Sequence, residues 1–228
     1  MGKPDVLDFL VFNLGPLHVG PTVLTTWLLM ALLTGLGWLG TRKLSVAAPS
    51  RLQSALEGAV LALQAAIESA VPSHASRLLP FIGTLWLFIA TANLIGLVPG
   101  LRSPTGDLSL TVALAMLVFV SVHWFGIRID GLKAYLRHYL DPNPILLPFH
   151  LLGEVTRTLA LAVRLFGNMM SLEMAALLVV LVAGFLAPVP LLMLHIVEAL
   201  VQAYIFGMLA LVYVAGALQS RELEKRSN

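Results

Sequence analysis

Five stretches of this sequence carry no aspartate, glutamate, lysine or arginine: between Asp8 and Arg42, Arg77 and Arg102, Asp107 and Arg128, Glu173 and Glu198, and Glu198 and Arg221. Each matches or exceeds the roughly 20 residues that a helix needs to cross a hydrocarbon core. Only 11% of the 228 residues are charged and 58% are hydrophobic, against about a quarter charged in soluble domains. A chain this apolar sits in lipid or aggregates. The expectation is an all-α integral membrane protein, a single membrane domain over residues 1–228 surrounded by membrane lipid.

The basic residues say which way round it sits. The pI is about 9.2, yet lysine and arginine do not gather into a patch, so nucleic acid is not an expected partner. They fall between the apolar runs, as topology signals do. With the N-terminus outside and five crossings, the inner side receives Arg42, Lys43, Arg51, Arg77, Arg128, Lys133, Arg137, Arg221, Lys225 and Arg226. The outer side receives only Lys3 and Arg102, and Arg157 and Arg164 are left within or at the edge of the fourth span. This predicts N-terminus out and C-terminus cytoplasmic. Met1 to Leu10 lacks the basic start and small-residue cleavage site of a signal peptide. With no cysteine, a disulfide framework, thiolate metal site or thiol nucleophile is excluded.

The first span is expected over 19–41. Residues 51–71 place Leu52, Leu56, Ala59, Leu63, Ile67 and Ala70 on one helical face and Gln53, Glu57, Gln64 and Glu68 on another. That pattern suits an amphipathic helix in the inner interface, or equally one packed on protein in a cytoplasmic loop. The second and third spans fall within 78–127, joined by a Gly/Pro-rich turn from Gly100 to Gly106. Asp107 is positioned to cap the third helix, with His123 and Trp124 as anchors near its inner end. Asp141-Pro-Asn-Pro144 interrupts helix. The last two helices are expected over 145–184 and 190–218, a long, strongly tilted or broken hairpin over 145–218, turning at Ala187-Pro-Val-Pro190. Gly153, Gly167, Gly184 and Gly207 are candidates for close helix packing.

Function is expected in that hairpin, because its polar groups oppose insertion. Each charge near a helix centre costs roughly 2.5–3.5 kcal/mol, and intramembrane ionisable residues normally mark a pathway. Glu154, Arg157, Arg164 and Asn168 share one helix face by their spacing, and His195, Glu198 and Gln202 share another. In an antiparallel hairpin, Arg164 with Gln202, Asn168 with Glu198, and Glu173 with His195 fall in nearly one register. Glu154 and Glu173 flank Arg164 at about 15 and 14 Å along the helix. Structural roles stand beside these: Arg164 paired only with Glu173 or Glu198, His195 in helix packing, Glu198 as a hydrogen-bonded carboxylate, Arg157 reaching the headgroups.

The residues Arg164-Leu-Phe-Gly-Asn168-Met, with Glu173 nine residues on and His195 and Gln202 seven apart before Ala-Tyr-Ile-Phe, resemble the signature of the ATP synthase subunit a family. So do Asn93-Leu-Ile-Gly-Leu-Val-Pro and the Pro104-Thr-Gly-Asp107 turn. The resemblance covers the chain from about residue 75 onward. It departs at Ser171-Leu172, where the family commonly has Ala-Gly, and at Thr158 and Ala160, where it commonly has Pro and Ser. Met170-Ser-Leu-Glu-Met174 is similar to the N-type ATPase branch, which is associated with sodium. The resemblance implies a subunit of the prokaryotic plasma (inner) membrane that binds a c-subunit ring and the subunit b peripheral stalk. It would carry H+ or Na+ through two offset half-channels, with Glu173, His195, Asn168 and Glu198 on the outer route, Glu154 on the inner one, and Arg164 facing the ring carboxylate. No cofactor, metal or nucleotide is implied for this chain. A self-contained transporter would show an internal repeat, and an intramembrane protease a nucleophile–base pair or HExxH motif; neither is seen.

Overall fold

A computed structural model describes residues 12–14, 17–42, 44–45, 50–72, 75–98, 101–131, 147–183 and 189–227. The Asp141–Pro144 segment, Gly184 and the start of the Ala187–Pro190 turn lie outside the described residues. Over the described residues the protein is all-α apart from one small antiparallel ladder, β1 (Phe12–Leu14) with β2 (Leu17–Val19), Phe12 lying opposite Val19. That ladder occupies the residues just before the first helix. Helix α1 (Pro21–Thr41) therefore begins two residues later than expected, at a proline in its first turn. Proline suits that position, since its missing N–H would have no helical partner there.

Helix α2 (Arg51–Ala70) is capped by the Ser50 hydroxyl, which accepts from the Gln53 N–H at 3.2 Å. Its Ile67 is fully buried, while Leu56, Val60 and Leu61 stay exposed. Helix α3 (Ala75–Leu94) runs into a 3-10 turn at Ile95–Leu97. A second 3-10 turn, Pro104–Gly106, leads to α4 (Leu108–Asp130). Asp107 caps α4 as its spacing predicts: Oδ1 accepts from the Ser109 N–H at 2.9 Å. Helices α5 (Leu147–Ala183) and α6 (Val189–Ser227) have 37 and 39 residues. Each exceeds about 55 Å at 1.5 Å per residue, well beyond the roughly 30 Å hydrocarbon core. Helix α6 runs nine residues past the expected end at Leu218, because the charged residues from Arg221 on end the apolar stretch without ending the helix.

Among the described residues, five helices, all except α2, are long and apolar enough to cross a membrane. The long helices do not pack chiefly on each other. Helix α6 lies mainly against α3, and α5 mainly against α4, with a smaller α5–α6 seam. The core follows a 3–4 spacing on α3 (Leu78, Ile82, Leu85, Trp86, Ile89) that meets Ala203, Phe206, Ala210 and Val214 of α6. Gly207 is needed there, because a Cβ at that position would overlap the Trp86 indole. The indole N–H donates to the Tyr204 carbonyl at 3.2 Å, and its ring stacks on Tyr204. Gly153 and Gly167 have open space where a Cβ would stand, so the close-packing expectation holds for Gly207 and fails for those two. Helix α1 buries only Thr25 and Leu29 and leaves Trp27, Leu36 and Trp38 exposed, an apolar surface suited to lipid.

Candidate functional site

The end of the bundle that holds the Pro104–Gly106 turn is built from small hydroxyls and amides. Ser103 Oγ donates to the Ala92 carbonyl at 2.8 Å, and Thr105 Oγ1 donates to Asn93 Oδ1 at 2.6 Å. Asn93 Nδ2 donates across to the Ala199 carbonyl of α6 at 3.2 Å. Asn93, Ser103 and Thr105 are all buried, and satisfied groups of this kind fix helices against each other. His195, also buried, joins this network: its Nε2 lies 3.4 Å from the Asn93 carbonyl. The structure thus turns His195 onto α3 rather than onto Glu173.

Glu173 sits on α5 against the same turn, with its Oε1 3.5 Å from where a Gly106 Cβ would stand. It lines a cavity of about 410 Å³ together with Thr22, Thr25, Arg102 and Asp107, closed on the α5 side by Phe166, Met170 and Met174. Thr22 Oγ1 donates to Asp107 Oδ2 at 2.8 Å, tying α1 to this cavity. Partial burial works against ionisation of Asp107, yet hydrogen bonds from the Ser109 N–H, the Ser109 hydroxyl and Thr22 outweigh it. The carboxyl is held below its ordinary range.

One to two turns along α5 lies the pair Asn168–Gln202, with Asn168 Nδ2 donating to Gln202 Oε1 at 2.7 Å. This shifts the expected register by one turn, since Asn168 meets Gln202 and not Glu198. Gln202 is buried and its Nε2 has no hydrogen-bond partner. Glu198 is half-buried, without a hydrogen-bond partner among the described residues. Arg164 is exposed on the open face of α5. No described carboxylate lies within ion-pair distance of it, so an arginine held by Glu173 or Glu198 is not what the fold contains.

Towards the opposite end, Glu154 meets His123 of α4, with Nε2 to Oε2 at 3.3 Å. Arg157 lies 5.8 Å over the Tyr213 ring of α6. Trp124 stays exposed near Arg128, but His123 turns inward onto α5. Sequence reasoning placed His123 only as an anchor. Its signal was there, as the one ionisable group in the first three spans. Glu154, Arg164 and Glu173 thus stand in order along α5, separated by ten and nine residues, about 15 and 14 Å.

The profile of the family described as ATP synthase A chain matches residues 23–215. The chain is 66% identical over 215 residues to ATP synthase subunit a 2 of Pelobacter propionicus, covering 94% of both chains. It is 63% identical to ATP synthase subunit a 1 of Hahella chejuensis, over 91% of this chain and 88% of that one. It is 52% identical to ATP synthase subunit a of Legionella pneumophila strain Corby, over 99% and 98%. The chain belongs to the ATP synthase A chain family. As a member it is the membrane-embedded, ion-translocating stator subunit of a larger complex and is not itself catalytic. The α5 and α6 polar groups described above all lie inside the matched range, as do the Asn93 network and the Asp107 cap.

Proposed function

We propose that this subunit carries H+ or Na+ between two offset half-channels and a c-subunit ring, with Arg164 facing the ring carboxylate. The observation that carries this reading is the exposed Arg164, midway along α5 with no carboxylate among the described residues within ion-pair distance. A guanidinium at mid-depth in a membrane is costly, and a carboxylate on a neighbouring subunit would offset that cost. Arginine suits the role because it stays protonated even when buried, where a lysine can lose its proton.

In this reading the cavity beside Glu173 opens the outer route, and His195, Asn168, Glu198 and Gln202 are its further polar residues. An ion taken from that side neutralises a ring carboxylate, which then turns into lipid because a neutral group is far cheaper there than a charge. After nearly a full turn the ion leaves by the inner route at Glu154, and Arg164 attracts the bare carboxylate. Each elementary charge crossing 100 mV supplies about 2.3 kcal/mol for rotation. The chain works as one membrane domain, with its N-terminus outside and C-terminus in the cytoplasm of a prokaryotic plasma membrane, and with the subunit b stalk as a further partner. The basic loops support that orientation.

Arg164→Ala tests this reading in the complete complex. ATP-coupled ion pumping in reconstituted vesicles is expected to vanish while the ring still co-purifies with the subunit. Normal pumping in that variant removes the assigned role.

A further inference from the structure

We propose that Thr22 is a positioning residue for ion passage: its hydrogen bond to Asp107 holds the start of α1 as the wall that keeps lipid out of the cavity beside Glu173. The inference rests on the reading of that cavity as the outer route and adds α1 to it.

The threonines of α1 carry the argument. Inside a helix a threonine hydroxyl commonly bonds back to a carbonyl one turn earlier. Thr25, Thr26, Thr34 and Thr41 do so, onto the Pro21, Thr22, Met30 and Gly37 carbonyls at 2.8, 2.7, 2.8 and 2.8 Å. Thr22 is the exception on this helix. One turn before it lies His18 in β2, ahead of the helix start at Pro21, so no helical carbonyl stands there to accept. Its hydroxyl instead donates to Asp107 Oδ2 at 2.8 Å, 85 residues along the chain. Asp107 divides its two oxygens. Oδ1 accepts from the Ser109 N–H and hydroxyl at 2.9 and 2.7 Å, and Oδ2 accepts from α1. The helix cap and the tie to α1 are therefore separate tasks of one carboxylate.

Little else fixes the start of α1. Thr25 and Leu29 are its buried residues, and it packs on α3 and on the Pro104–Gly106 turn. Apolar contact gives such a helix no preference for protein over lipid, because lipid tails are as apolar as leucine. A polar bond made in a medium without competing water does give it a place. That place matters for the cavity of about 410 Å³, to which α1 supplies Pro21, Thr22 and Thr25 and α5 supplies Phe166, Glu173 and Leu177. Were α1 to swing away, acyl chains would enter from its side and displace water from around Glu173. A carboxylate left without water or a partner is costly to ionise, and an ion would meet a higher barrier there. Thr22 and Asp107 also line the cavity themselves, so the bond that anchors the wall keeps its surface polar.

The test uses the complete complex. The chain has no cysteine, so Leu177→Cys supplies the only thiol of the subunit, placed at the cavity. Membrane vesicles with the outer face towards the bath receive a cationic, membrane-impermeant methanethiosulfonate. Labelling of the assembled subunit is followed against time by mass, and ATP-driven pumping of the labelled complex is then measured in liposomes with a pH dye and by radioactive sodium uptake. Leu177→Cys is expected to label from outside and to lose most of its pumping when labelled. Adding Thr22→Val, which keeps the shape of threonine but has no donor, is expected to slow labelling by about threefold or more, the worth of one interhelical hydrogen bond in a membrane. Pumping by the unlabelled complex should slow with it, and Thr22→Ser should restore both. A brace that merely loosened would let the reagent in faster, so the direction separates the two roles. Labelling as fast as, or faster than, with Thr22 intact overturns the proposal, and so does a Leu177→Cys thiol that never labels. Should Thr22→Val not assemble, Thr22→Ala is read in the same way, and Met174→Cys replaces Leu177→Cys if that variant is lost. The two readings part cleanly. Labelling that leaves pumping intact removes the cavity from the outer route, and this inference with it. Labelling that stops pumping but proceeds unchanged in Thr22→Val removes only the role of Thr22.

Discussion

The seam between α3 and α6 and the open face of α5 use polar residues in opposite ways. In the seam, the polar groups of Asn93, Ser103, Thr105 and Trp86 are buried and each finds a partner. On α5 and the facing turn of α6, Arg164 is exposed, Glu198 is only half-buried, and Gln202 keeps a buried donor without a partner. A satisfied polar group in an apolar bundle locks one arrangement of helices, while an unsatisfied one costs stability and calls for another reason to be there. The seam is framework. The α5 face is where the chain tolerates cost, and there the proposed function places the moving ion and the ring.

This contrast predicts that damage to the seam removes the protein, while damage to the α5 face removes only transport. The largest effect is expected at Gly207. Gly207→Val would drive a branched side chain into the Trp86 indole, which also carries the bond to Tyr204. Overpacking usually costs about 1–3 kcal/mol, and a clash between a helix backbone and a fused ring belongs at or above the top of that range. Little assembled subunit should be recovered in membranes, as read by co-purification with the complex. Arg164→Ala, by contrast, should leave the subunit folded and assembled with the ring, since Arg164 is exposed in this chain and makes no ion pair with its described residues. Equal losses of assembly in the two variants would erase the distinction between framework and working face.

Asn93→Ala is the next test of the seam. It strips the Ala199 carbonyl of its added donor and leaves the buried Thr105 hydroxyl without its acceptor on α3. Each interhelical bond lost is expected to cost about 1–2 kcal/mol, seen as a lower thermal midpoint of the detergent-solubilised complex. Asn93→Asp should be worse, because it loses the donor to Ala199 and adds a charge to a fully buried site. A midpoint unchanged by Asn93→Ala would mean that the network is incidental and that apolar packing alone holds α3 to α6.

How far these features are legible in the sequence follows from their range. The spans read directly, because a charge-free run of sufficient length has few places to go but lipid, and the Asp107 cap reads from one local rule. The Asn168–Gln202 pairing did not, because residues spaced by three and four sit on one face in every register, and a slip of one turn preserves the pattern. The main partner of α6 was also hidden: the polar residues drew attention to α5, while the contact that matters most, Trp86 against Gly207, joins residues with no recognisable pairing. His195 stood out as ionisable but not as a member of the Asn93 network, since that depends on how closely α3 approaches. The β1–β2 ladder is too short to show an alternating pattern. What was local in the chain could be read, and what depended on helix-to-helix distance could not.

The smallest expected effect, and the one with a defined pH signature, belongs to Asp107, which lies between the two regions by capping α4 and lining the cavity beside Glu173. Asp107→Ala removes a capping acceptor, for a cost of about 1 kcal/mol. Because hydrogen bonds from Ser109 and Thr22 hold the folded carboxyl below its ordinary value, the unfolded chain binds the proton more readily than the folded one. The stabilisation from ionised Asp107 is therefore full above the ordinary aspartate range and is lost as pH falls through the lowered value. The gap in thermal midpoint between wild type and Asp107→Ala should be constant at neutral pH and narrow in acid. Asp107→Asn retains a capping oxygen and should recover most of the neutral-pH gap while losing the acid dependence. A gap that widens in acid would place the sign of the shift the other way, and the Thr22 and Ser109 contacts would then be unable to outweigh the partial burial of the carboxyl.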